Sequence, residues 1–369
     1  MESVNRDTNI ILSSLSKSEL INLFTRINEM PLTFRRKLNI PTNISFGNEI
    51  EIEGIPLNRA SLITELFNDG VGLYGEGRYE VHPEQTAAAE IVTPVLTNRV
   101  YHWATFKSMY ETLYATGATI GENTSSHIHI GSNLINTPEK LSLLLKTLVV
   151  FEPIIFKFGY GILDKPREFL TARLTYSIFS PMMTPKRVSM FTDELDHYNH
   201  SAQVVMRAKF LEFIKPELSF RPVFNFKNFD FSKIHYGIAI EEPNSEDHFE
   251  VRCFNGTLRP EIAQNNINLI TSIVAAVING KIDEAYIKKE YEKYRKKRYN
   301  FDTMCAILYE EDRVAQYNRL LNGFGKVKLD KALKLADMIF DTEIDKCYFL
   351  KQYLKLFNAE PEYIRGLVK

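Results

Sequence analysis

The sequence contains few cysteines and lacks a long apolar run. Only three cysteines, Cys253, Cys305 and Cys347, occur in 369 residues, and they are widely spaced. Such a set excludes a disulfide framework and a cluster of thiolate metal ligands, and it favours a reducing compartment. No stretch approaches the ~20 consecutive apolar residues that a transmembrane helix needs. We therefore expect no membrane interaction.

Features of secreted, nucleotide-loop and nucleic-acid-binding proteins are also absent. The first twenty residues have neither the basic start nor the continuous apolar segment of a signal peptide, which predicts a cytoplasmic location. No G-x-x-x-x-G-K-[ST] loop occurs, so a bound nucleotide would have to be held by other groups. The formal net charge of -1 and a pI near 6.7 argue against a nucleic-acid partner.

The distribution of apolar residues predicts a mixed architecture of the α+β class. Hydrophobic residues make up 44% of the chain and charged residues 25%, which is typical of a globular protein with a core. Residues 1–43 form an N-terminal helical segment in this interpretation, and 44–260 mix short strands with helices. Residues 261–369 form a helical region that packs on the central region or extends it. Strands and helices do not alternate regularly, which argues against a doubly wound parallel sheet.

Five strands and four helices are predicted within the central region. The strands are expected at 46–54, 88–96, 125–133, 235–242 and 247–257, and the helices at 58–69, 101–116, 138–160 and 187–214. Each prediction rests on apolar residues that recur at strand or helix spacing.

The first of these strands would line up like charges on one face. Glu49, Glu51 and Glu53 alternate with Ile50 and Ile52, so the glutamates share the face opposite the isoleucines. Neighbouring side chains on one strand face lie about 6.5–7 Å apart. Each adjacent pair of carboxylates then repels by roughly 2.4 kcal/mol at an effective dielectric of ~20. Either water or a bound cation would relieve this repulsion.

Three other predicted strands carry a similar restricted chemistry on one face. Glu90 follows three alanines, His127 and His129 share a face, and so do Glu250 and Arg252. A solvated face of an antiparallel sheet also alternates apolar and polar residues. However, such a face normally mixes residue types, and Glu is depleted in strands. The pattern therefore favours a cation site with oxygen ligands, suited to Mg²⁺ or alternatively Mn²⁺, and an arginine beside it would suit phosphoryl transfer.

Four motifs in order resemble the amidoligase family, one of the carboxylate–amine ligases that include glutamate–cysteine ligase and glutamine synthetase. They are GNEIE at 47–51, EIVTP at 90–94, HIH at 127–129 and FEVRCFNGTL at 249–258. The resemblance covers about residues 44–260. It implies an antiparallel sheet curved into a half-barrel funnel with helices on its outer face. It also implies an ATP-dependent ligase that uses Mg²⁺ and an acyl-phosphate intermediate.

The resemblance implies a role for each matching residue. On the phosphate side the implied metal ligands are Glu49, His127 and Glu250, and on the substrate side they are Glu51 and Glu90. Glu84, about one residue out of register, is the candidate for the acidic metal ligand that precedes EIVTP. The implied catalytic and ATP-binding residues are Arg252 and His129, and Arg173 is a further ATP-binding candidate unless it caps a helix.

Other functions remain open at this point. A kinase on the same scaffold would perform only the phosphoryl transfer. A metal-dependent hydrolase would use the HIH motif with Zn²⁺ and would need no ATP, and a binding protein on the same fold would have no activity. The ligase interpretation implies a carboxylate and an amine as substrates, either from small molecules or from peptide or protein side chains. A homo-oligomer is also left open.

Overall fold

The structure, a computed structural model, describes residues 10–71, 77–84, 87–121, 124–159, 224–230, 233, 247–293 and 327–368. Within these residues the protein combines one six-stranded antiparallel sheet with flanking helices. The predicted α+β class is confirmed. No helix in the described ranges is long and apolar enough to cross a membrane.

The sheet has the strand order β2-β3-β1-β4-β6-β5, and all neighbouring strands are antiparallel. The strands are β1 (Phe46–Ile52), β2 (Glu80–His82), β3 (Ala89–Val92), β4 (Ser125–Gly131), β5 (Phe224–Asn225) and β6 (His248–Asn255). The predictions at β1, β3, β4 and β6 are confirmed, whereas the predicted strand 235–242 lies outside the described residues. The strands β2 and β5 were missed because three and two residues are too few to show alternation.

Eight α-helices are described with both ends. They are α1 (Lys17–Glu29), α2 (Leu57–Val71), α3 (Val100–Ala115), α4 (Pro138–Gly159), α5 (Pro260–Ile278), α6 (Leu329–Ile339), α7 (Glu343–Tyr353) and α8 (Pro361–Gly366). The predictions at α2, α3 and α4 are confirmed, and the predicted helix 187–214 lies outside the described residues.

The two faces of the sheet differ because its strands alternate in chemistry. On one face Ile50 and Ile52 of β1, Ile128 of β4 and Val251 of β6 are fully buried in the main hydrophobic core. The helices α4 and α5 contact β6 and β4, respectively. The opposite face carries the glutamates and histidines of the four motifs.

The N-terminal segment packs on the C-terminal helices. Helix α1 contacts both α7 and α8. Asp337 of α6 accepts hydrogen bonds from the backbone N–H groups of Leu12 and Ser13 at 2.9 and 2.8 Å. Lys351 of α7 donates to the carbonyl oxygen of Ile27 at 3.0 Å. The two terminal helical regions are therefore in direct contact, although they are far apart in the sequence.

Candidate functional site

The register of the sheet brings the first motif residues together in pairs. Glu51 of β1 lies directly opposite Glu90 of β3, and Glu49 lies directly opposite His127 of β4. Directly opposed residues of an antiparallel pair point to the same face, with Cβ atoms about 4.5–5.5 Å apart. These four side chains therefore form two adjacent rows on one face of the sheet.

Side chains of β4, β6 and β5 form a third row on the same face. His129 lies opposite Glu250, and Glu250 lies opposite Asn225 of the edge strand β5. The amide of Asn225 donates to Glu250 Oε2 at 2.9 Å. A neutral amide thus fixes one carboxylate oxygen, while Glu250 Oε1 lies 3.4 Å from His127 Nδ1.

Arg252 reaches the site beside a β-bulge. Between the pairs Ser126–Phe254 and Ile128–Val251, β6 contains one residue more than β4. Such a bulge bends the strand and re-aims its side chains. The guanidinium donates from Nη1 to Glu250 Oε1, and the Arg252 side chain is 17% exposed. The arginine is therefore held at the edge of the carboxylate cluster, partly open to a ligand.

Glu49 is the central carboxylate of the site. Its Oε2 lies 2.5 Å from His127 Nδ1, and its Oε1 lies 2.9 Å from His129 Nε2. Burial by itself would raise the pKa of Glu49, but hydrogen bonds to the two imidazoles outweigh it and hold the pKa well below its ordinary value. Burial lowers the pKa of His129, yet the bond to Glu49 and the nearby Glu250 charge raise it overall.

Negative charge accumulates around Glu90. Burial, followed by repulsion from Glu49, Glu51 and Glu84, raises the pKa of Glu90 to about 7. The predicted ligand Glu84 is therefore close enough to act on Glu90 electrostatically. The charge of Arg252 opposes this shift but does not outweigh it, and a cation would relieve the repulsion.

Two groups of three residues present atoms that could hold a cation. One group is Glu49, Glu90 and His127, and the other is Glu49, His129 and Glu250. Within each group, the candidate ligand atoms all lie within 4.8 Å of one another. Two carboxylates and one imidazole fit Mg²⁺ or Mn²⁺ better than Zn²⁺, which more often takes several histidines or thiolates.

These two groups assign the candidate metal ligands differently from the family resemblance. His129, expected to contact phosphates, is part of a candidate cation group here. Among the described residues, Glu51 and Glu84 fall in neither group. Glu51 is 3% exposed, and Ser125 donates hydrogen bonds to both of its carboxylate oxygens. Arg173 lies outside the described residues.

Three residues of this face, among those that the structure describes, were missed by the motif analysis. Ser125 is two positions before His127, so the alternation of the strand would have placed it on the same face. His82 lies directly opposite Glu90, and Asn225 opposite Glu250, but both belong to strands too short to recognise. Only the pairing of β2 and β5 with their neighbours identifies them.

A pocket of about 260 Å³ adjoins the site at His129. Gly47 of β1, Val92 and Pro94 contribute to its lining together with His129 and His248. The two imidazole rings are 4.8 Å apart between centroids and lie edge to face. The pocket thus offers an apolar wall and two imidazoles next to the group of Glu49, His129 and Glu250.

The arrangement supports the binding of an anionic ligand through cations. Two candidate cation groups share one carboxylate, and an arginine lies beside a carboxylate of the second group. Cations held in this way, together with a guanidinium, can stabilise charge on a phosphoryl group during transfer.

A comparison of the chain with protein-family models and with curated protein sequences finds no match.

Proposed function

We propose that the protein is an ATP-dependent ligase that joins a carboxylate to an amine through an acyl phosphate, with Mg²⁺ as the metal. The observation that carries this proposal is the pair of cation groups that share Glu49, with Arg252 beside them. Without a phosphate-binding loop in the sequence, cations on such a face are the means of holding the phosphates.

Each part of the site has a role in this proposal. Glu49, His129 and Glu250 would hold the cation on the phosphate side, and Glu49, Glu90 and His127 would hold the cation on the substrate side. Bound Mg²⁺ would supply positive charge to the phosphate oxygens. Arg252, positioned by Glu250, neutralises charge on the transferred phosphoryl group.

The chemistry takes place in two steps. A carboxylate oxygen of the acid attacks the γ-phosphorus of ATP, the bond from that phosphorus to ADP breaks, and an acyl phosphate forms. The amine nitrogen then attacks the acyl carbon, the bond from that carbon to phosphate breaks, and the proton that the nitrogen loses passes to the released phosphate. The protein contributes mainly by placing the reactants and balancing their charge.

The pocket next to His129 receives the nucleoside part of ATP in this proposal. Its apolar wall of Val92 and Pro94 and its two imidazoles suit a flat aromatic ring. The pocket and the group of Glu49, His129 and Glu250 share His129, so one ligand can occupy both.

The proposal also includes the shape of the sheet and the location of the enzyme. The sheet would curve into a half-barrel funnel, with the helices on its outside and the face of the glutamates and histidines on its inside. The enzyme would be cytoplasmic.

Calorimetric binding of a non-hydrolysable ATP analogue tests the proposal directly. Titrations would compare Mg²⁺ with a chelator, for the wild type and for Glu250→Gln. We expect binding that requires Mg²⁺ and that weakens at least about tenfold in the variant, because the amide removes a charged ligand and the partner of Arg252.

A matched control is Glu343→Gln, which makes the same chemical change in α7. Glu343 pairs with Arg26 and lies outside the site, so this variant should bind the analogue as the wild type does. The absence of binding to the wild type both with Mg²⁺ and with chelator would contradict an ATP-dependent function.

A further inference from the structure

A buried serine connects two charged side chains of the site. Ser125 begins β4 and is 1% exposed. Its backbone N–H donates to Glu51 Oε2 at 2.7 Å, and its hydroxyl donates to Glu51 Oε1 at 2.5 Å. The same hydroxyl oxygen lies 2.9 Å from Nε2 of His127. Ser125 therefore contacts both oxygens of one carboxylate and one nitrogen of the neighbouring imidazole.

The hydroxyl of Ser125 requires a hydrogen on Nε2 of His127, the ring nitrogen that faces it. A serine hydroxyl has one hydrogen to donate and two lone pairs that accept. Its hydrogen is directed at Glu51, because an ionised carboxylate can only accept. The hydroxyl oxygen must consequently accept from Nε2–H of His127.

The opposite nitrogen of His127 faces the candidate cation groups. Nδ1 lies 2.5 Å from Glu49 Oε2 and 3.4 Å from Glu250 Oε1. A hydrogen on Nδ1 is donated to Glu49, because an ionised carboxylate can only accept, and a bound cation would take the place of that hydrogen. Histidine ligands usually donate their second N–H to a neighbouring acceptor, which fixes both the tautomer and the ring orientation. The contact between Ser125 and His127 has this form.

We propose that Ser125 is a positioning residue, which with Glu51 holds His127 so that Nδ1 is the atom presented to a cation. The inference rests on the proposed function only in that a cation binds at this group. Glu51 acts here by accepting from Ser125, with its Oε1 3.6 Å from Nε2 of His127, and not as a direct ligand. This assignment differs from the ligand role that the family resemblance implies for Glu51.

Measurement of Mn²⁺ affinity tests the role of the hydroxyl. We expect Ser125→Ala to bind Mn²⁺ about tenfold to a hundredfold more weakly than the wild type, the range typical when a partner of a histidine ligand is lost. Ser125→Thr keeps the hydroxyl and should remain within about threefold of the wild type. Titration calorimetry, or electron paramagnetic resonance of unbound Mn²⁺, gives the affinities.

Ser126→Ala is the matched control. Ser126 is the next residue of β4 and is also 1% exposed, but its hydroxyl contacts Asn48 on the other face of the sheet. The control removes the same hydroxyl from an equally buried position, so it should leave the Mn²⁺ affinity unchanged. A loss of affinity in both alanine variants alike would show a general effect on the fold and would overturn the proposal.

Nitrogen-15 spectra of histidine-labelled protein with Mg²⁺ provide a measurement that a purely structural role would not affect. The wild type should show His127 as the tautomer with hydrogen on Nε2, identified by the signal lost in His127→Gln. In Ser125→Ala we expect a mixture of the tautomers with hydrogen on Nε2 and with hydrogen on Nδ1. If Ser125→Ala does not fold, the His127 tautomer observed in the wild type and in Ser125→Thr still tests the proposal.

The outcomes separate this inference from the proposed function. A wild type with normal cation binding, but with hydrogen on Nδ1 of His127, overturns the inference alone. Equal Mn²⁺ affinities of Ser125→Ala and the wild type do the same. A wild type that binds neither Mn²⁺ nor Mg²⁺ overturns both.

Discussion

At the residue scale, Glu90 shows how the site depends on a counter-charge. Burial and three neighbouring glutamates raise its pKa to about 7, from an ordinary value of 4.5. A carboxyl whose pKa is raised by folding binds more protons in the folded state than in the unfolded chain. Its contribution to stability is therefore complete below pH 4.5 and is lost as the pH rises through about 7.

Glu90→Gln should stabilise the cation-free protein at neutral and higher pH. At about pH 8 we expect a gain of about 1–2 kcal/mol in the free energy of unfolding, since each pKa unit corresponds to ~1.4 kcal/mol and the partial exposure of the group reduces the effect. The gain should disappear below pH 4.5. Denaturant unfolding across this pH range measures it, and a difference that does not depend on pH would contradict the assignment.

At the residue scale, sequence alternation predicted most of the site. It identified Glu49, Glu90, His127 and Glu250, because a period of two places alternate residues on one face whatever the neighbouring strands are. It could not predict that Glu51 binds Ser125. That contact depends on the side-chain conformations and the register between β1 and β4.

At the element scale, β1 contains a glycine that its backbone does not require. Gly47 is not among the described glycines with positive φ. A Cβ added there would lie 3.7 Å from both His129 Cβ and Thr93 Oγ1, which is ordinary contact. Glycine within a strand costs about 0.5–1 kcal/mol relative to alanine. A glycine in a strand can also mark the close approach of a ligand, and Gly47 lines the pocket.

Gly47→Ala should keep or slightly raise stability and yet weaken nucleotide binding. We expect the free energy of unfolding to stay equal or rise by about 0.5 kcal/mol. Affinity for the ATP analogue should fall several-fold because the methyl group enters the pocket, while Mn²⁺ affinity stays unchanged. Thermal unfolding and calorimetry on the same samples measure both. Unchanged affinity for the analogue would argue against this pocket as the nucleoside site.

Gly131→Ala provides a useful comparison in β4. There an added Cβ would lie 2.1 Å from Ser45 Oγ, so the side chain of Ser45 would have to move. Ser45 is 2% exposed, so its hydroxyl oxygen would leave a buried position. We therefore expect Gly131→Ala to lower the free energy of unfolding, in contrast to Gly47→Ala.

At the scale of the whole molecule, one core joins the three regions that the sequence analysis distinguished. Helix α5, in the predicted C-terminal region, contacts β4 and α4 of the central region, and α7 contacts α1, α4 and α5. The main hydrophobic core includes Phe24 of α1, Ile128 of β4, Ile270 of α5 and Phe349 of α7. The three predicted regions therefore share one core.

Residues 44–260 expressed alone should fail to fold cooperatively. Removing α1, α5 and α7 exposes the apolar surface of α4 and of the sheet that these helices cover. Circular dichroism during heating should show a sharp transition for the full chain and none for the fragment. A fragment with a transition as sharp and as high in temperature as that of the full chain would show an independent domain.

The sequence by itself determined the α+β class, the positions of four strands, and the residue types on the polar face. These features depend on local periodicity, which a short segment carries without help from the rest of the chain. Only the tertiary structure decided which side chains meet. Glu49 and His127 are 78 positions apart, and their contact depends on the register between β1 and β4. Register and strand order are set by the packing of the whole core, so neither can be read from the segments alone.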